Sequence, residues 1–203
     1  MEQDKNLQKV EVIFSTSNKW KIEQFKMLNN NRLNEFFDIK FEKVPDVPEI
    51  QGTCEEVAID KVLSAYKYLQ KPCMVDDESL SIDSLNGFPG PYLKDFEAHL
   101  KAEGVYKVLS SLGSDVCYPT VYYAITFDGK KVYTFNGKMK AVSIKPREEF
   151  AQEKEYYEVL YSVDWNVRLS ELTPEIENSK YNNRMIAIEK MIEFFKENAI
   201  SKL

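Results

Sequence analysis

The alternation of hydrophobic and polar residues in the first part of the chain predicts strands and helices in turn. Residues 10–15 and 36–44 carry apolar side chains near every second position, which is the period of a half-buried strand. A helix is predicted over 19–30, and the clearest helical pattern covers 54–70. A short apolar run predicts another strand over 72–77. This order of elements is typical of an α/β protein.

The remainder of the chain adds helices, a β-meander and a closing helix. Two helices are predicted over 91–102 and 104–112, with a break at Gly104. Residues 116–145 alternate in the manner of strands, and an amphipathic helix is predicted over 180–198. The pattern as a whole indicates a mixed β-sheet with flanking helices.

Local signals refine three of these elements. Thr53 stands at the N-cap position of its helix with Glu56 three residues later, which is the spacing of a capping box. The pair Asp128-Gly129 predicts a type I′ hairpin turn. The charged stretch 148–158 predicts a solvated loop or short helix.

Composition limits the class of protein. A chain of 203 residues suits one domain over 1–203, or two closely packed lobes, and can bury a sizeable core. Its three cysteines are odd in number and lack CxxC spacing, which favours a reducing compartment and a cytoplasmic location. No apolar run approaches the roughly 20 residues that span a bilayer, so we expect no membrane partner. The net charge of −6 and the lack of a Lys/Arg block argue against a nucleic-acid polymer as partner.

The segment "FSTSNKWKIEQF" predicts an anion site between the first strand and the first helix. Lysines in the first turn of a helix oppose its dipole, and a bound anion would remove that conflict. Backbone N–H groups, hydroxyls and ammonium groups would then form a phosphate pocket. The alternative is an ordinary Asn cap with two solvated lysines. The residues concerned are Thr16, Ser17, Asn18, Lys19 and Lys21.

Three consecutive acids, Asp76, Asp77 and Glu78, stand where the strand over 72–77 is predicted to end. Adjacent carboxylates repel unless a cation neutralises them, and Mg²⁺ prefers oxygen ligands and binds one or two carboxylates plus phosphate. Glu49, in a separate loop, is a candidate third carboxylate. The alternative is a solvated acidic turn.

Two further lysines stand at unusual positions. Lys61 lies on or beside the packed face of its helix, so it either extends its charge to water or faces an anion. Lys94 follows the stiff connector "GFPGPY", which is either a preset turn that fixes Tyr92 and Lys94 or a plain connector.

Together, "STSNKWKIEQF", "VPEIQGTCEEVAIDK" and "MVDDESLSIDSLNGFPGPYLKDF" resemble the inosine triphosphate pyrophosphatase (Ham1-like) family. The resemblance covers the N-terminal half in the right order, and its most specific part is the acidic pair followed by Gly-x-Pro-Gly-Pro-Tyr-x-Lys. It implies an elongated α/β fold with two lobes around a central cleft and a homodimer. It also implies Mg²⁺-dependent hydrolysis of non-standard purine nucleoside triphosphates to the monophosphate and pyrophosphate, with Mn²⁺ as the alternative ion.

The resemblance assigns roles to individual residues. Asp77 would activate the attacking water, and Lys61 and Lys94 would contact the triphosphate. Metal would be held by Glu49, Asp76 and Asp77. Phosphates would be held by Thr16, Ser17, Asn18, Lys19 and Lys21.

The C-terminal half departs from the family pattern at the segments expected to recognise the base. Tyr161 and Asp164 stand in "YSVDW" where the family has Phe-Gly-Trp-Asp-Pro. Asn178 replaces a Lys, and Asn183 and Arg184 lie where the family has His-Arg. Arg184 offers only hydrogen-bond donors, so it would favour a base with a keto oxygen; the alternative is a surface arginine. These changes keep two other functions open: a pyrophosphatase with another base preference, and a silent nucleotide-binding protein.

Overall fold

The computed structural model describes residues 9–45, 48–113, 115–152, 156–172 and 182–198. The helices are α1 (Lys19–Asn29), α2 (Cys54–Leu69), α3 (Leu93–Ser111) and α4 (Asn183–Glu197). The strands are β1 (Val10–Ser15), β2 (Phe37–Glu42), β3 (Cys73–Ile82), β4 (Pro89–Gly90), β5 (Val116–Thr126), β6 (Val132–Lys138), β7 (Ala141–Ser143), β8 (Leu160–Ser162) and β9 (Val167–Arg168). None of the helices in these ranges is long and apolar enough to cross a membrane.

One mixed sheet, in the order β2-β1-β3-β5-β7-β8-β9, runs through the molecule. β3 and β5 are its long central strands and pair antiparallel over ten residues. The first residues of β3 pair with β1, and its last residues pair with β4. The first residues of β5 pair with β7, and its later residues pair with β6. The two central strands therefore carry a different set of neighbours at each end, and the predicted mixed α/β sheet is confirmed.

Helices cover both faces of the β1 end of the sheet. Because side chains alternate along a strand, Phe14 and Met74 face α1 and α4, whereas Ile13 and Val75 face α2. A separate core at the other end packs α3 against β7 and β8, with Leu109 among its buried residues. The sheet thus supports three apolar clusters that hold the four helices in place.

The first two helices begin as their caps predict. Asn18 precedes α1, and its side chain accepts hydrogen bonds from the backbone of Trp20 and Lys21. Thr53 and Glu56 form the predicted capping box on α2, because each side chain accepts from the other residue's backbone N–H.

The predicted strand over 72–77 is too short. β3 continues to Ile82, because β5 supplies a pairing partner for every residue of it, so Asp76 and Asp77 lie in mid-strand. The helix break predicted at Gly104 is also wrong. It falls at Lys101, which has a φ of 59°, while the absence of a Cβ at Gly104 leaves room for Leu100.

Of two further local predictions, one is wrong and the other is right only in part. The β5–β6 hairpin closes through residues 127–131 rather than a two-residue type I′ turn, with Gly129 at φ 70° and Asp128 accepting two backbone N–H groups. In the stretch 148–158, Glu148–Phe150 forms a short exposed helix, as predicted. Tyr156 and Glu158 are instead buried: Tyr156 belongs to an apolar cluster, and Glu158 accepts hydrogen bonds from Arg147.

Candidate functional site

A cavity of about 530 Å³ lies where β1 ends and β3 continues. β1 pairs with β3 only at Cys73 and Met74, so no β1 residue stands beside the three acids that follow. On its other edge β3 stays paired with β5 through Asp76, Asp77 and Glu78. The acids are therefore fixed in a rigid strand with one side open. We call this space the charged cavity.

Most of the predicted site residues line the charged cavity, although they come from five separate segments of the chain. Those that line it are Thr16, Ser17, Asn18, Lys21, Glu49, Lys61, Asp76, Asp77 and Lys94. The predicted association of the acids, the lysines and the first turn of α1 is therefore present in the structure. Their individual chemical roles stay predictions.

Asp76 is buried between two cations. Lys21 Nζ lies 3.2 Å from Asp76 Oδ1, and Arg184 Nη1 lies 2.5 Å from Asp76 Oδ2. Burial alone would raise the pKa of Asp76, but the two cations outweigh it and hold that pKa below its usual value. Asp76 is consequently a carboxylate at neutral pH.

Asp77 points to the opposite face of β3, towards α2. Its Oδ1 lies 2.5 Å from Lys61 Nζ, which also lies 2.9 Å from Glu49 Oε1. Cys54 Sγ is 3.5 Å from Asp77 Oδ2. Burial raises the pKa of Asp77 above its usual value although Lys61 opposes the change. A carboxylate whose pKa is raised towards working pH is a better proton acceptor.

The first turn of α1 closes another side of the charged cavity. It carries no acidic residue, so its N-terminal partial positive charge is not offset by a side chain of the turn itself. Thr16, Ser17 and Asn18 line the cavity beside it. This arrangement can bind an anionic group through N–H donors, hydroxyls and the Lys21 ammonium.

The carboxylates fit a hard cation by chemistry, but lysines separate them. Lys61 lies between Glu49 and Asp77, and no three His, Cys, Asp or Glu side chains within the described ranges form a group that could hold a metal ion by themselves. Mg²⁺ commonly takes one or two carboxylates and completes its shell with water and substrate phosphate. Such partial protein ligation fits the donors present here, so the metal site stays a prediction.

Some predicted residues lie elsewhere. Lys19 is exposed on α1 and does not line the charged cavity. Tyr161 lies in β8, where its hydroxyl donates a hydrogen bond to Asn166, and Asp164 lies in the turn that follows β8. Both residues lie outside the charged cavity and outside the second cavity described below. Asn178 is outside the described residues.

Arg184 is not a surface arginine, so that alternative is wrong. It is 1% exposed, and its Nη2 lies 2.9 Å from Glu78 Oε1 in addition to the Asp76 contact. Gly137 in β6 makes this placement feasible, because a Cβ there would come within 1.8 Å of the Asn183 carbonyl oxygen. The first turn of α4 therefore sits directly on the sheet.

A second cavity, of about 610 Å³, was not anticipated. We call it the aromatic cavity, because Trp20, Tyr156 and Tyr157 line it; Asn183, a predicted residue, lines it too. Tyr157 donates a hydrogen bond to Glu78. The sequence motifs do not single out Trp20, although a tryptophan two residues after the Asn18 cap is visible in the sequence. Tyr156 and Tyr157 lie in the stretch 148–158, for which the sequence predicts exposure to solvent.

Comparison with known proteins identifies the family to which this architecture belongs. The sequence model of the Ham1 family matches residues 12–194. The chain belongs to the Ham1 family. An inosine triphosphate pyrophosphatase of Schizosaccharomyces pombe is 31% identical over 137 residues, which are 67% of this chain and 70% of that protein. One from Emericella nidulans is 33% identical over 135 residues, covering 66% and 71%.

Solved Ham1-family structures share the fold. A HAM1 protein from Coxiella burnetii superimposes with a TM-score of 0.74 at 22% identity, covering 93% of this chain and all of that one. The Staphylococcus aureus Ham1 protein gives 0.72 at 22% identity, covering 92% and 98%. These similarities confirm the predicted fold class, and the match to the family model confirms the predicted family.

Proposed function

We propose that this protein hydrolyses non-standard purine nucleoside triphosphates, such as ITP, dITP and XTP, to the monophosphate and pyrophosphate. Its relatives in two fungi are named inosine triphosphate pyrophosphatases. The observation that carries the proposal is the charged cavity, in which Asp76 and Asp77 each hold a lysine beside the first turn of α1. Alternating buried charges of this kind suit a polyphosphate, whose hydrolysis depends mainly on charge neutralisation and positioning.

The chain's own residues divide the reaction between them. The first turn of α1 with Thr16 and Ser17 binds phosphate oxygens, and Lys21, Lys61 and Lys94 neutralise their charge. Asp77 accepts a proton from the attacking water. The water oxygen forms a bond to the α-phosphorus, the bond from that phosphorus to the α–β bridging oxygen breaks, and pyrophosphate leaves with the electron pair.

We further propose that the enzyme uses Mg²⁺, with Mn²⁺ as a substitute. Glu49, Asp76 and Asp77 would hold the ion, which would supply additional positive charge to the phosphates. The oxygen donors of these carboxylates support the choice of a hard cation. Lys21 and Lys61, now bound to the acids, would then be released to the phosphates.

The decisive experiment measures the products of a panel of triphosphates. Purified protein with Mg²⁺ is incubated with ITP, dITP, XTP and the four standard nucleoside triphosphates, and products are separated by ion-exchange chromatography. We expect inosine monophosphate and pyrophosphate in equal amounts from ITP. Orthophosphate with a diphosphate would refute the proposed site of attack. Turnover confined to another base would replace the substrate assignment, and binding without turnover would make the protein a nucleotide-binding protein.

We also propose a cytoplasmic homodimer, as the family resemblance implies. The three buried, unpaired cysteines are consistent with a reducing compartment. Light scattering after size-exclusion chromatography should give about twice the 23.7 kDa of one chain, and a mass of one chain would refute the dimer.

A further inference from the structure

Trp20 occupies an unusual place for a large aromatic residue. It lies two residues after the Asn18 cap of α1 and is 41% exposed. It is not among the buried residues of that helix, and Gln24, one turn further along, lines the same aromatic cavity. The first turn of α1 therefore directs the Trp20 side chain into a cavity, whereas Gln24 and Leu28, further along the same face, are buried.

The Trp20 ring is held by two partners on other elements. The Arg184 guanidinium carbon lies 5.3 Å from the ring centroid, and the Tyr157 ring centroid lies 6.1 Å away at an interplanar angle of 45°. Arg184 is itself fixed by Asp76 and Glu78. A cation over an aromatic face restrains the ring, so the accessible part of Trp20 is a preset flat surface.

The aromatic cavity adjoins the charged cavity. Asn18, Glu78, Glu97 and Tyr156 line both of them. A ligand whose phosphates lie at the first turn of α1 can therefore extend its other end along the same turn to Trp20. Ligand pockets commonly pair an apolar or aromatic wall with a few polar groups, as here.

We infer that Trp20 is the surface on which the base of the nucleoside triphosphate stacks. The inference rests on the proposed function, because it takes the charged cavity as the phosphate site. Stacking on an aromatic ring does not depend on a particular hydrogen-bond pattern. Trp20 therefore contributes to affinity for a base-bearing triphosphate and contributes nothing to binding of the phosphates alone.

The test compares Trp20→Ala with Trp20→Phe and with Tyr68→Ala, which removes an exposed aromatic residue that lines neither cavity. The measured quantities are the KM for ITP and the inhibition constant of inorganic tripolyphosphate, which has no base. We expect KM to rise roughly 5- to 100-fold in Trp20→Ala, because stacking on one aromatic ring accounts for about that factor. Trp20→Phe should recover most of the loss, Tyr68→Ala should match the wild type, and tripolyphosphate inhibition should stay unchanged throughout. A KM within twofold of wild type, or an equal weakening of tripolyphosphate, would overturn the inference.

A fluorescence measurement decides the same point without turnover. The chain has two tryptophans, so Trp165→Phe leaves Trp20 as the only indole emitter. Inosine monophosphate and ITP should quench its emission, and tripolyphosphate should not. Absence of quenching by ITP at concentrations that saturate the site would overturn the stacking inference. A wild-type protein that shows this quenching but hydrolyses no triphosphate would refute the proposed function alone.

Discussion

Replacement of Arg184 by Met tests whether the buried charges at the centre of the molecule form one coupled unit. Arg184 is 1% exposed, Asp76 is 6% exposed, and the two contact each other at 2.5 Å. Met has a similar length and no charge. The substitution would leave Asp76 with Lys21 as its remaining cation and would leave Glu78 without its arginine.

The expected cost follows from the burial of the pair. Removal of one partner from a buried ion pair typically costs about 3–5 kcal/mol, because the other charge stays in a medium of low polarity. For a chain of this size, each kcal/mol lowers Tm by roughly 2–4 °C, so Arg184→Met should unfold about 6–20 °C below the wild type. Asp76→Asn together with Arg184→Met removes both charges, so the double variant should lose less than the sum of the single losses.

The wild type, both single variants and the double variant are unfolded by heat, which gives Tm, and by urea, which gives the free energy of unfolding. Far-UV circular dichroism follows both transitions. Lys71→Met is the matched control, because the Lys71–Glu11 pair is largely exposed and its loss should leave the midpoint close to that of the wild type. The reasoning is refuted if Arg184→Met costs less than about 1 kcal/mol, or if the two single losses add without coupling.

Four other predictions concern catalysis, binding and acid stability. Asp77→Asn should lower kcat by roughly 10²–10⁴-fold with little change in KM, because the variant lacks the proton acceptor. A loss of kcat below about tenfold in a pyrophosphate-release assay would contradict the role of Asp77 as proton acceptor. Lys94 lines the charged cavity, and Lys94→Gln should raise KM by roughly 10- to 100-fold. Lys19 is exposed outside that cavity, and Lys19→Gln should raise KM less. Equal increases in KM would argue against the charged cavity as the phosphate site. Chelation with EDTA should abolish turnover and added Mg²⁺ or Mn²⁺ should restore it, and full activity in EDTA would remove the metal from the proposal. Burial alone would raise the pKa of Glu158, but hydrogen bonds from Arg147 hold that pKa below the usual 4.5, so the ionised Glu158 stabilises the fold above pH 4.5 and this stabilisation is lost as pH falls through the lower folded pKa. The urea midpoint of Glu158→Gln should therefore change less than that of the wild type between about pH 5 and pH 3. Parallel changes in the two proteins would contradict the assignment.

Local features of the sequence were sufficient for much of the fold. The cap at Asn18 and the capping box at Thr53 depend on groups within three residues of each other, so short segments contain all the information that they need. The family motifs also placed the acids and lysines in one site, and the structure brings those side chains to one cavity.

Predictions failed where a distant segment supplied the partner. The sequence predicts that β3 ends at Asp77, because three acids are unfavourable in a buried strand unless cations neutralise them. Those cations are Lys21, Lys61 and Arg184, which lie 55, 16 and 108 residues away from the acids that they bind. A segment of ten residues therefore does not show that these acids will be paired with cations.

The sequence by itself determined the alternation of helices and strands, the caps and the family, since periodicity and local hydrogen bonding act between near neighbours. Only the tertiary structure decided that Asp76 and Asp77 bind cations on opposite faces of one strand, that Arg184 is buried, and that Trp20 lines a cavity with Tyr157. The physical reason is that burial and charge pairing depend on which remote segments pack together, and that packing is a property of the whole chain.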